Sequence, residues 1–99
     1  MAAYIIADVK VSDPGKYKGY TALTPGAIAA AGGRFIVRGG QHETLEGSWT
    51  PNRVVVIEFP SYLQAKAFYE SALYRAAREQ RAGATESFNM IVVDGVPPA

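Results

Sequence analysis

The chain has 99 residues, 48% of them hydrophobic, and its ten Lys and Arg against nine Asp and Glu give a net charge of +1. This length and composition predict one folded domain over residues 1–99, and the scattered basic residues argue against nucleic-acid binding. The lack of cysteine excludes disulfides, thiolate metal sites and cysteine nucleophiles. With no basic leader and no apolar stretch of membrane-spanning length, we expect a cytoplasmic protein that does not enter a membrane.

The first third of the chain predicts a strand followed by a helix. Residues 3–11 alternate with a period of two, as a half-buried strand does. Asp13 and Pro14 then form a helix start, with the carboxylate as cap and the proline at the first helical position. Pro25 lies inside the helical pattern that follows, so we expect the helix to kink or restart near Thr24.

The remainder predicts three strands and one more helix. Residues 34–38 are a short strand, and residues 53–59 form a strand rich in β-branched residues, typical of a strand covered on both faces. Ser61 caps a helix with an apolar stripe that continues to Gly83, and residues 87–93 form the last strand.

The order β-α-β-β-α-β predicts an α+β, ferredoxin-like fold, an antiparallel sheet with two helices on one face. If Ile57 and Phe59 meet the helices, the other face presents Val54, Val56 and Ile6, which is too apolar for a solvated surface. No residues remain in the chain to cover this face. We therefore predict that a second copy covers it, giving a face-to-face homodimer.

An ordered set of residues from about Tyr4 to Gly95 resembles the family of small bacterial proteins called domain of unknown function 1330. The matching residues are Arg38-Gly39-Gly40, Leu45-Glu46-Gly47, Trp49, Arg53, Glu58-Phe59-Pro60-Ser61, Tyr69, Ser71, Tyr74, Arg81 and Val93-Asp94-Gly95. The resemblance implies a dimeric α+β barrel, a superfamily that includes cofactor-free oxygenases, lactone isomerases and haem-degrading enzymes. Phe68 stands where a Trp is common and Ala72 where a Pro is common, so ligand preference is not transferred.

The long loop between the second and third strands contains the only histidine, His42, next to Glu43. Such a pair is a candidate general base near neutral pH, and the alternative is an exposed loop histidine. One histidine makes a poor metal site. A haem needs only one histidine and so stays an alternative, but its ligand is expected on an apolar wall rather than in this turn. We predict no metal and no cofactor.

Two arginines, Arg38 and Arg53, bracket the loop and are expected to converge at its base if the two strands pair. Two guanidinium groups there suit a carboxylate or phosphate ligand. Glu46 is a further candidate for this site. The alternative is that Glu46 and Glu58 form structural salt bridges with the two arginines.

Large aromatic and hydroxyl side chains are the remaining ligand-binding candidates. Trp49 and Tyr69 are candidates to line a pocket for a small aromatic molecule, with Trp49 as cover, or to serve ordinary packing. Ser71 and Tyr74 are candidate hydrogen-bond donors near a helix break. Ser71 lacks the sequence context of a nucleophile.

These residues predict a homodimer with a ligand cavity between sheet and helices. One hypothesis is a cofactor-free small-molecule enzyme that holds a small anionic or aromatic ligand and moves a proton with His42 or Glu43. The alternatives are a non-catalytic ligand-binding module and a structural dimerisation module.

Overall fold

The chain runs strand, helix, strand, strand, helix, helix, strand, and its four strands form one antiparallel sheet. The computed structural model describes residues 1–97; positions 98 and 99, the end of the predicted domain, lie outside the described residues. The elements are β1 (Ala3–Val11), α1 (Pro14–Ala30), β2 (Arg34–Arg38), β3 (Val54–Phe59), α2 (Tyr62–Glu70), α3 (Ala72–Gln80) and β4 (Thr85–Asp94). The sheet order β2-β3-β1-β4 confirms the predicted ferredoxin-like fold, although β3 starts one residue later than predicted and β4 extends further at both ends.

The face of the sheet that meets the helices, here called the inner face, carries the core. Alternate residues of β1 from Ala3 to Val9 are buried, together with Ile57 and Phe59 of β3. Each large apolar side chain buried in this way stabilises the fold by about 1.5–3 kcal/mol. The predicted assignment of Ile57 and Phe59 to the helix side is confirmed.

Helix α1 begins where the sequence predicts and is continuous from Pro14 to Ala30. The carboxylate of Asp13 accepts a hydrogen bond from the backbone amide of Lys16 at 3.1 Å, and Pro14 occupies the first turn. The helix then runs uninterrupted past Pro25, so the predicted restart near Thr24 is wrong. Pro25 removes one backbone hydrogen bond, but the buried face of α1 extends on both sides of it and holds the two halves in one helix.

A break at Ser71 divides the predicted second helix into α2 and α3, so the prediction of one helix up to Gly83 is wrong. The Ser71 hydroxyl donates to the carbonyl oxygen of Phe68 at 2.7 Å and accepts from the backbone amide of Tyr74 at 3.1 Å. It therefore closes one helix and caps the next, a local competition with helical hydrogen bonds that serine favours. The break leaves Tyr74 buried, with its ring centroid 4.5 Å from that of Phe68.

The opposite face of the sheet, the outer face, presents a row of aliphatic side chains, of which Val56 and Ile6 are as predicted. The strand register aligns this outer row across the sheet: Val37, Val56, Ile6 and Ile91. Ile91 is 60% exposed. Beside the row, Glu58 accepts a hydrogen bond from Nε of Arg34 at 2.9 Å and one from the hydroxyl of Tyr4 at 3.4 Å.

Two glycine substitutions are expected to change stability in opposite directions. A Cβ added to Gly33 would lie 2.5 Å from the ring of the fully buried Phe59, so Gly33→Ala should lower the free energy of unfolding by about 1–3 kcal/mol. A Cβ added to Gly26, inside α1, meets no atom of residues 1–97 within 4 Å, so Gly26→Ala should raise the free energy of unfolding by about 0.5–1 kcal/mol. Urea unfolding at one fixed protein concentration measures both values. Equal effects of the two substitutions would contradict this packing.

Candidate functional site

A narrow cavity lies between the inner face of the sheet and the helices. Its volume is about 30 Å³, enough for roughly two water molecules by a measure that allots about 10–15 Å³ to each. The residues that line this inner cavity come from all four strands and all three helices: Ala7, Val9, Tyr17, Tyr20, Thr21, Thr24, Ile28, Phe35, Arg38, Arg53, Val55, Phe68, Tyr74, Phe88 and Met90.

Buried tyrosines supply most of the polar groups in the helical wall of the inner cavity. The hydroxyls of Tyr20 and Tyr74 lie 2.6 Å apart, and either can donate. Burial, and then the neighbouring Tyr74, raise the pKa of Tyr20, and burial also raises the pKa of Tyr17 against the opposing influence of Arg53 and Arg81. The Tyr17 and Tyr20 phenols therefore stay protonated at neutral pH and are available as hydrogen-bond donors rather than bases.

The two arginines that bracket the loop both line the inner cavity. Arg38 lies opposite Val55 in the strand register, with its Cζ 4.2 Å from the ring centroid of Phe35. The guanidinium of Arg53 lies against Gly39, where the positive φ of 69° and the absence of a Cβ leave room for it. Arg38 and Arg53 are thus brought to one site, as their positions in the sequence predict.

No carboxylate within residues 1–97 pairs with either cavity arginine. The ion pairs there are Lys10 with Glu86 at 3.2 Å and Arg34 with Glu58 at 2.9 Å. The alternative prediction of structural salt bridges from Arg38 and Arg53 to Glu46 and Glu58 is therefore wrong, because Glu58 pairs with Arg34 on the outer face and Glu46 stays exposed.

The predicted catalytic pair, His42 and Glu43, lies in the exposed part of the loop and lines neither cavity. Nε2 of His42 is 2.9 Å from the carbonyl oxygen of Pro51, and Nδ1 is 3.3 Å from that of Gly40. Both carbonyls favour the imidazolium, Pro51 more than Gly40, and raise the pKa of His42. His42 therefore joins the two ends of the loop. Within residues 1–97 no three potential metal ligands cluster.

Trp49 lies on the side of the sheet away from the inner cavity. Its indole Nε1 donates to the carboxylate of Asp8 at 3.1 Å, and the backbone amide of Asn52 donates to the same carboxylate at 2.9 Å. Asp8 projects from the outer face, between the buried Ala7 and Val9. The Asn52 amide, more than the Trp49 indole, holds the pKa of Asp8 below its ordinary value. Trp49 is 63% exposed and does not cover the inner cavity.

The remaining candidates, Tyr69, Ser71 and Tyr74, lie in three different places. Tyr74 lines the inner cavity, whereas Tyr69 lines a second, larger one of about 300 Å³. Ser71 lines neither, because its hydroxyl is engaged in ending α2 and capping α3. Arg38, Arg53 and Tyr74 thus line the inner cavity together. Tyr69 does not line it, although its ring centroid lies 5.7 Å from that of Tyr74, and neither do Ser71 and the predicted loop residues.

Several lining residues were not identified as site residues from the sequence. Tyr17, Tyr20 and Thr24 recur at helical spacing, which predicts a helix and does not by itself mark a site; in the structure all three are buried along α1. Their polar ends were the available signal, because a purely structural core seldom buries two phenols and a threonine along one helix.

Comparison with known proteins supports the fold. A family model described as domain of unknown function (DUF1330) matches residues 2–96. A protein of unknown function from Rhodopseudomonas palustris is similar in structure, with a TM-score of 0.74, 19% identity and coverage of 98% of this chain and 84% of that one. A candidate antibiotic biosynthesis monooxygenase from Nitrosomonas europaea has a TM-score of 0.58 and 19% identity, with coverage of 98% of this chain and 92% of that one. A dimeric ferredoxin-like protein of unknown function from Thermobifida fusca has a TM-score of 0.60 and 16% identity, with coverage of 93% of this chain and 89% of that one. No curated protein matches the chain.

The two contacts of His42 with the carbonyl oxygens of Gly40 and Pro51, here called the loop clamp, should make the stability of the loop depend on pH. Because the pKa of His42 is raised above its ordinary value of 6.5, the clamp should be fully formed below that value and should weaken as pH rises through the folded-state pKa. The rate at which a protease cleaves the loop should therefore increase as pH rises from 6.5 through the folded-state pKa of His42. The rate is corrected for the pH dependence of the protease itself. His42→Ala should remove the pH dependence while leaving Asp8, which titrates at lower pH, in place. An NMR-measured His42 pKa at or below 6.5 would contradict the clamp.

Proposed function

We propose that this chain, which belongs to the DUF1330 family, acts as a homodimeric binding protein for a small organic or inorganic anion. The proposed site is the mouth of the inner cavity, where Arg38 and Arg53 bind the negative charge and the phenols of the helical wall donate further hydrogen bonds. The homodimer forms through the outer face.

The observation that carries this proposal is a pair of cavity arginines without carboxylate partners among residues 1–97. A guanidinium group presents a planar fork of donors that fits a carboxylate or phosphate with two parallel hydrogen bonds. With both arginines at one narrow cavity, the local charge favours an anion. The volume of about 30 Å³ restricts what enters to a small group, so a larger ligand would keep its body outside.

Binding is favoured over turnover by the types of residue in the cavity wall. Among the described residues, the lining contains no histidine, aspartate or glutamate, so no side chain there has an ordinary pKa near neutrality that would suit a general base. The two predicted catalytic residues lie in the exposed loop, with both nitrogens of His42 hydrogen-bonded to backbone carbonyls. The cofactor-free enzyme is therefore the second candidate, and it would require a proton acceptor from the ligand or from water.

The homodimer is supported by the outer row and by relatives. Four aliphatic side chains aligned across a sheet form a surface that is stabilised when it is removed from water. The structurally similar Thermobifida fusca protein is described as dimeric. A second copy placed face to face would cover the row in both subunits at once, since a two-fold interface uses the same patch twice.

Location and other partners stay predictions from the sequence. Within residues 1–97 no helix combines the length and apolar character needed to cross a membrane. A cytoplasmic location and the lack of nucleic-acid binding rest on the composition and on the net charge of +1.

Anion binding at the inner cavity is tested by removing its charge. Acetate and inorganic phosphate should shift the NMR signals of the backbone amides of Arg38, Gly39 and Arg53. The double variant R38M/R53M should bind the responsive anion at least about tenfold more weakly, because a hydrogen bond to a charged group contributes about 1.5–3 kcal/mol.

The matched control is K18M/R75M, which removes the same charge from exposed positions away from the cavity. If the control weakens binding as much as R38M/R53M, the effect is one of net charge and the proposed site is wrong. Absence of any shift with either anion would also contradict it.

The dimer interface is tested by placing a charge at the end of the outer row. Ile91→Asp should convert the dimer to a monomer in light scattering at micromolar concentration, because the carboxylate would be buried against the partner's apolar face. Leu63→Asp is the control, since Leu63 is 78% exposed on α2, away from the outer face, and should leave the dimer intact. A monomeric unsubstituted protein would contradict the proposal outright.

A further inference from the structure

We propose a second ligand site, in the larger cavity between α2, α3 and β4, that takes an aromatic carboxylate. This α2–β4 groove has a volume of about 300 Å³, at the lower end of the range for small-molecule sites, which is about 300–1,000 Å³. Its lining residues are Ile5, Ala65, Lys66, Tyr69, Arg81, Phe88, Met90, Ile91 and Val92. The proposal does not depend on the function of the inner cavity.

The charge of the groove is positive. Lys66 and Arg81 line it, and Arg78 lies beside it, with its Cζ 4.5 Å from the ring centroid of the lining residue Tyr69. No carboxylate within residues 1–97 lies within 4.0 Å of these three basic groups. The groove therefore offers a positive charge that the described part of the chain does not neutralise.

Aromatic rings hold both guanidinium groups in place. The Cζ of Arg81 lies 3.7 Å from the ring centroid of Phe88 and 5.3 Å from that of Tyr20, and Arg78 also approaches the Tyr74 ring at 5.6 Å. The Nε atoms of Arg78 and Arg81 are buried and have no hydrogen-bond partner among the described residues. Since these atoms are covered, an incoming anion would meet the terminal nitrogens, whose positions the stacking has already set.

The walls determine the class of ligand. Besides the basic groups the groove has an aliphatic wall, with Ile5 and Val92, and Tyr69 adds an aromatic surface. A flat apolar ring with one carboxylate matches this division, because the ring is removed from water by the aliphatic wall while the carboxylate binds the arginine fork. The inner cavity shares Phe88 and Met90 with the groove but has different arginines and a tenth of the volume, about 30 Å³, which is too small for such a ring.

Benzoate is the probe that tests this site, with benzamide as its neutral counterpart. In an NMR titration of the full chain, benzoate should shift the backbone amides of Tyr69, Met90 and Val92. Arg81→Met and Arg78→Met should each weaken benzoate binding by about tenfold, the loss expected for one hydrogen bond to a charged group. Lys66→Met changes an exposed side chain, so it tests the charge without risk to folding, and it should weaken binding by a few-fold. Benzamide should produce much smaller shifts than benzoate.

Arg75→Met is the matched control, because Arg75 is exposed on α3, the helix that carries Arg78, and stacks on no aromatic ring of residues 1–97. It should leave benzoate affinity unchanged. The proposal is overturned if benzoate shifts only the amides of Arg38 and Arg53, if benzamide binds as well as benzoate, or if Arg75→Met weakens binding as much as Arg81→Met. It is also overturned if Lys66→Met and Arg78→Met fold normally and bind benzoate with unchanged affinity.

Discussion

Strand β1 is hydrogen-bonded on both sides, to β3 and to β4, and its register governs which side chains meet the helices and which face outward. With Ala7 buried, its cross-strand partners Val55 and Met90 must also face the helices, and Arg38, opposite Val55, is carried to the same face. The neighbouring Asp8 must then face outward. A shift of one residue would exchange the cavity arginine with the outer row, so the site depends on this pairing.

The same register organises the long loop between β2 and β3. Asp8 projects from the outer face, where its carboxylate accepts hydrogen bonds from the Asn52 amide and the Trp49 indole. His42 then bridges Gly40 and Pro51 and closes the loop upon itself. The loop is thereby directed to the outer side of the sheet. Only the residues at its two ends, Arg38 and Arg53, remain on the cavity side.

The strands, their faces and the convergence of Arg38 and Arg53 could be predicted because period-two alternation and strand order are local properties of the sequence. The break at Ser71 could not, since the apolar stripe continues through it and the decisive event is a hydroxyl that competes for backbone hydrogen bonds. The position of Trp49 depends on a contact with Asp8, 41 residues earlier, which no local pattern records. The helical spacing of Tyr17 and Tyr20 predicts a helix but carries no sign that their phenols meet a cavity.

The two cavities have one feature in common: the arginines beside them are held in place without a carboxylate partner among residues 1–97. The chain has six arginines, and among residues 1–97 only Arg34 forms an ion pair. Four of the others, Arg38, Arg78, Arg81 and Arg53, are held by an aromatic ring or by the space beside Gly39. A carboxylate partner would fix a guanidinium and cancel its charge, whereas a ring fixes it and leaves the charge in place. Positioned but unneutralised guanidinium groups beside a cavity are suited to an anion that comes from outside the chain, and both proposed sites rest on this one property.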